Sequence, residues 1–212
     1  FATALRLAAV YPTTDVCRTV SSASRTVCSG EITQSPQPGH LQLGQAEYLD
    51  TLRMKTGELF ALACELGASL AGAEPRETRA LREYGMALGT AYQVYDDCLD
   101  LFGSESEAGK SLGTDIASGK ATLPVILLCE QADPEVAAQL GRMIEKWDAG
   151  QLNILRGWLS EFNTLEQSQS RLEALLADAR DALGELRESG HRDALWKLTL
   201  FLAQQSARLG VC

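Results

Sequence analysis

The residues best suited to chemistry stand close together in YQVYDDCLDLFG, positions 92–103. On a helix Asp96 and Asp100 share a face, and Asp97 sits about 100° round, three before Asp100. Gln93 lies one turn earlier, and Gly89 a turn before that leaves room beside it. Like charges at this spacing repel by roughly 0.2–0.5 kcal/mol per pair, and aspartate is a poor helix former. Three aspartates inside an apolar helix therefore make little structural sense by themselves. A hard divalent cation removes the objection. Mg2+ takes oxygen ligands, keeps several waters and bridges one or two carboxylates to substrate phosphates. The competing reading is a solvated acidic face, and the DDxxD pattern alone does not separate the two.

Lysines supply the missing charge. Lys55, in RMKTGELFALACELG, falls three after Leu52 and four before Leu59, on the expected apolar stripe of its helix. An inward lysine is costly unless its ammonium meets a partner, the bland alternative being a side chain that snorkels to water. Thr56 adds a hydroxyl beside it. GSESEAGKSLGTDIASGKATLP, positions 103–124, then brings Lys110 and Lys120 on a Gly-rich loop directly after the aspartates. Loop lysines are usually just solvated, but these are tethered to a candidate metal site and can close over a metal-bound anion. Three acids and three lysines point to a magnesium-bridged diphosphate site, with Mn2+ as a substitute cation.

The elements that must position these groups read as helices throughout. Leu52, Leu59, Leu62, Leu66 and Leu70 recur at helical spacing, as do Leu81, Gly85, Leu88, Tyr92, Tyr95, Leu99 and Phe102. Pro124 and Pro134 each suit a first helical turn, and residues 168–188 and 192–209 are amphipathic. Breaks fall at SPQPGH (35–40), at AGAEPRE (71–77) and across the loop 103–119. No alternating strand or fixed-period repeat stands out. The expectation is an all-α, single-domain bundle of about seven or eight helices.

Composition sets the limits. The 212 residues are 45% apolar and 22% charged, too apolar for a disordered chain. Nineteen Lys and Arg against 28 Asp and Glu give a net charge of −9, without the basic face of a nucleic-acid binder. No window approaches ~18 uninterrupted apolar residues, so no membrane span is expected. The six cysteines are scattered and only two histidines accompany them, which argues against structural zinc and for reduced thiols in a cytoplasmic protein. The chain opens at Phe1 inside the helix-like FATALRLAAV, without the layout of a signal peptide. It is expected to lack its natural N-terminal portion.

KTG at Lys55, DDCLD at Asp96 and the GKSLGTDIASGKATLP loop, in that order, resemble the C-terminal two-thirds of the trans-isoprenyl diphosphate synthases, or polyprenyl synthetases. The resemblance runs from about Phe1 through Glu130 and more faintly to the C-terminus. It implies the isoprenoid synthase type of helical bundle around a central cavity, and a homodimer. By the same resemblance Asp96, Asp97 and Asp100 are the second aspartate-rich motif, with Asp96 the direct metal ligand. Lys55, Thr56, Gln93, Lys110 and Lys120 match the positions around the allylic diphosphate. Gly30, Glu31 and Gln34 resemble the family's GE-x-x-Q stretch facing the same cavity. The family's first aspartate-rich motif, its Arg pair and its isopentenyl diphosphate group have no counterpart in these residues, so this stretch alone is expected to be inactive.

The implied reaction is ionisation of an allylic diphosphate and condensation with isopentenyl diphosphate to a longer all-trans polyprenyl diphosphate, without a protein general base. Two rivals remain: a terpene cyclase of the same fold, in which KTG and GKxTLP are not expected, and a non-catalytic subunit of a heteromeric prenyl synthase. An upstream aspartate-rich motif and Arg pair separates the second rival from the enzyme.

Overall fold

The computed structural model describes residues 2–33, 44–105, 109 and 111–210. The regular structure among the described residues is all helix, with no strand, as the periodicity predicts. They form two compact units, the first within Phe1–Thr33, Asp50–Ala91 and Leu175–Phe201, the second within Gln34–Leu49, Tyr92–Ala174 and Leu202–Cys212. Helices among the described residues outnumber the seven or eight expected, partly because much of the C-terminal half is cut into short pieces. Asp133 caps the helix Pro134–Glu145 by accepting from the Glu135 and Val136 amides, and Asp148 forms a capping box over a 3-10 turn, Ala149–Gln151.

In the first unit, α1 (Ala2–Ala8) and α2 (Thr14–Thr33) pack Ala8, Val16 and Val20 against Leu62 and Leu66 of α4 (Glu58–Leu70). The α2 sequence is rich in Ser, Thr and Val, all weak helix formers. Its amphipathic spacing, with Val16, Val20, Ala23, Val27 and Gly30 buried, holds it helical through packing. Arg82 bonds both oxygens of Glu58 at 2.9 Å and Glu65 at 2.7 Å, so the buried Glu58 is paired.

Between α3 (Gln45–Leu52) and α4 the chain makes a π-helical turn, Arg53–Gly57. The wider turn rotates the following helix relative to the preceding one. The expected leucine stripe consequently breaks there: Leu52 is buried, whereas Leu59 and Leu70 are exposed and Ala61 and Ala68 take the interior. A similar correction applies to α5 (Pro75–Phe102). Its buried line is Ala80, Tyr84, Leu88, Ala91, Val94, Cys98 and Leu101, and Tyr92 is 46% exposed.

The second unit has its own core of Leu101, Ile116, Val125, Leu128, Leu140, Met143, Leu155 and Leu159. The helix Leu123–Gln131 is buried on every side over its first six residues, which explains its continuous apolar sequence. No described helix is long and apolar enough to cross a membrane.

Candidate functional site

The register of α5 decides what its aspartates can do. Asp97 follows Val94 by three and precedes Leu101 by four, so it lies on the buried line and is 4% exposed. Its carboxylate is held from two sides: the Tyr48 hydroxyl donates to Oδ2 at 2.6 Å and the Gln93 amide to Oδ1 at 2.9 Å. Tyr48 is itself buried, and its oxygen also meets the Leu123 amide at the start of the next buried helix. One phenol thus ties α3, α5 and the chain just after Lys120 together.

Asp100 is 0% exposed. Its Oδ1 accepts from the Thr114 hydroxyl at 2.8 Å and the Thr114 amide at 3.2 Å, and its Oδ2 from the Asp115 amide at 3.1 Å. Its backbone carbonyl accepts from the Gly113 amide at 2.9 Å. Asp96 is half-buried, and so is Gln93. The three aspartates are therefore not equivalent, although their spacing alone treats them as one acidic group.

Within the loop expected across 103–119, the stretch from Gly113 is structured. Thr114–Ala117 form a helical turn after Gly113, whose φ of 71° places it in the left-handed region. A Cβ there would also lie 3.0 Å from the Trp147 ring, so glycine is required twice over. Ile116 anchors the turn in the core. Lys120 follows, its ammonium 3.3 Å from Asp115 Oδ1 and its amide donating to the Asp115 carbonyl at 2.9 Å.

Burial pushes the Asp97 carboxyl up to about 7; the bonds from Tyr48 and Gln93 oppose the rise, while the charges of Asp115 and Asp96 add to it. Burial and the Asp97 charge hold the Tyr48 phenol well above its ordinary value. Asp96, half-buried and near enough for its charge to raise Asp97, offers oxygen donors of the kind a hard divalent cation takes. No group of three Asp, Glu, His or Cys side chains converges as a metal cluster among the described residues. Mg2+ needs only one or two protein carboxylates when phosphate and water complete its shell.

In the first unit Lys55 lies within the π-helical turn, its side chain 21% exposed and paired with Glu31 at 3.4 Å. The adjacent Gly30 allows the close approach: a Cβ there would stand 2.9 Å from the Lys55 amide nitrogen and from Met54 Cβ. Gly57, at the other end of the turn, sits close to Met86 and Thr90 of α5. Thr56 shares the turn with Lys55. Gln34 and Lys110 lie outside the described residues.

Sequence reasoning missed Tyr48, Thr114 and Asp115 as partners of the aspartates. A tyrosine seven residues before a KT pair carries no local signal, because its partner is 49 positions away. The GTD triplet did offer one, a glycine followed by two residues that favour helix starts.

The family model for polyprenyl synthetase matches residues 1–155. Octaprenyl diphosphate synthase of Escherichia coli (strain K12) is 31% identical over 193 residues, 90% of this chain and 59% of that protein. The crystal structure of a decaprenyl diphosphate synthase from Rhodobacter capsulatus matches with a TM-score of 0.84 at 32% identity, over 92% of this chain and 60% of that one. The polyprenyl synthase from Caulobacter crescentus CB15, crystallised with calcium and isoprenyl diphosphate, matches with a TM-score of 0.83 at 34% identity, over 88% and 57%. The chain spans about three-fifths of the length of the relatives it matches.

Proposed function

The chain belongs to the polyprenyl synthetase family, and from that we propose that the protein carrying it condenses an allylic diphosphate with isopentenyl diphosphate to give a longer all-trans polyprenyl diphosphate. The observation that carries the reading lies within one unit: the half-buried Asp96 belongs to a carboxylate group to which the Lys120-bearing turn is hydrogen-bonded.

A bound Mg2+ would supply positive charge against the diphosphate as it departs. Asp96 is the residue assigned to hold it. Asp97 stays inside, fixed by Tyr48 and Gln93, and adds negative potential without needing to reach the ion. Lys120 meets the diphosphate oxygens, exchanging part of its pairing with Asp115 for a stronger anion. Lys55, Thr56 and Gln93 are assigned to the diphosphate by their match to the family pattern, as are Lys110 and Gln34. In the reaction the allylic C–O bond breaks and its electron pair leaves with the diphosphate. The double bond of isopentenyl diphosphate forms the new C–C bond, and the proton lost next goes to the released diphosphate. The protein needs no general base, in keeping with a chain that has only two histidines. A homodimer and a cytoplasmic location complete the proposal.

Calorimetry with an allylic thiolodiphosphate, which binds without ionising readily, tests the site. The expected result is binding that requires Mg2+ and weakens about tenfold or more in Lys120→Ala. Binding that ignores both Mg2+ and Lys120 contradicts the proposal.

A further inference from the structure

We propose that Asp100 is a positioning residue: its carboxylate clamps the turn Gly113–Asp115 and so sets Lys120, instead of binding the metal. Three observations carry this. First, Asp100 has no exposed surface, and Mg2+, which keeps several of its waters, needs an approach that a sealed carboxylate does not give. Second, both carboxylate oxygens are engaged, with three donors from Thr114 and Asp115, while the Asp100 carbonyl holds the Gly113 amide. Charge-assisted bonds of this kind are the strong ones. Third, the clamped turn leads straight to a lysine. Asp115 is held at its amide by Asp100, and it accepts the Lys120 amide at its carbonyl and the Lys120 ammonium at its side chain.

The turn has little else to fix it. Its four helical residues are too few to be stable alone. Ile116 provides the apolar anchor, and Gly113 the left-handed entry against Trp147. Without the carboxylate, the Thr114 and Asp115 amides lose their buried acceptor, and Lys120 loses its fixed starting point. The clamp stands on geometry alone; its consequence for diphosphate binding rests on the function proposed above.

Two measurements separate these layers. Hydrogen exchange across residues 113–120, without ligand, reads the clamp directly. Asp100→Asn and Thr114→Val are each expected to quicken exchange there by about tenfold, with α5 itself unchanged. Thr114→Val carries this arm if the aspartate variant folds poorly. Unchanged exchange in the folded variants overturns the clamp. Binding of pyrophosphate with Mn2+ then reads the consequence, in Asp100→Asn, Lys120→Ala and the double variant. If Asp100 acts through Lys120, the double variant binds no worse than Lys120→Ala alone. Losses that add in full overturn the link to Lys120. A wild-type protein that binds no pyrophosphate with Mn2+ refutes the diphosphate reading, while the exchange arm still decides the clamp.

Discussion

At the scale of single residues, the proposed site depends on how carboxylates in one helix are divided between structure and chemistry. Tyr48 contributes the shorter of the two bonds to the buried Asp97, at Oδ2. Tyr48→Phe keeps the ring and removes the donor, so it is expected to lower stability by about 1–3 kcal/mol, the usual cost of an unpaired buried polar group. Chemical denaturation of wild type and variant checks this; an unchanged midpoint contradicts the pairing. Asp96→Asn should behave in the opposite way. It removes a charge that raises the energy of the neighbouring Asp97, so the melt should hold or rise. A thermal melt lowered by several degrees would place Asp96 in the fold and not in the chemistry.

At the scale of elements, two close fits set the groups in place. Gly30 lets α2 approach the π-helical turn, and Glu31 then reaches Lys55. Gly30→Ala improves intrinsic helix propensity by about 1 kcal/mol, but the new methyl meets the Lys55 backbone, which cannot swing aside. The clash should win, with a net loss of about 1–3 kcal/mol in denaturant titrations. The end of α5 depends on Arg156, whose guanidinium donates to the Leu101 carbonyl at 2.5 Å and the Gly103 carbonyl at 2.9 Å. A cation at a helix C-terminus also complements the dipole. Arg156→Ala is expected to cost about 1–3 kcal/mol and to loosen the start of the segment leading to Lys120, read as faster hydrogen exchange near Gly103. The π-helical turn shows why element boundaries outran the sequence. Leucine spacing from 52 to 70 looks continuous, and only the wider turn at Lys55 reveals that the two halves face different ways. Likewise the Thr114–Ala117 turn reads as loop because its stabilising partner, Asp100, belongs to another element.

At the scale of the whole molecule, helical periodicity and the order KTG, DDCLD and GKSLGTD carried the fold class and the family, since both are properties of local pattern. The unequal roles of Asp96, Asp97 and Asp100 were not legible, because they depend on which side of α5 meets the core, and period alone leaves that rotation open. Net charge offers a complementary constraint. A chain at −9 attracts no polyanion in general, so the diphosphate of the proposed reaction would have to be recognised by a few placed lysines and a cation. That makes Asp96 the residue on which the account turns. The most direct test supplies the protein carrying this chain with Mg2+, an allylic diphosphate and labelled isopentenyl diphosphate, and compares wild type with Asp96→Asn. The expected result is a longer labelled prenyl diphosphate from wild type, and at least about 10²-fold slower formation by a variant that melts normally. Near-wild-type turnover by well-folded Asp96→Asn would contradict it.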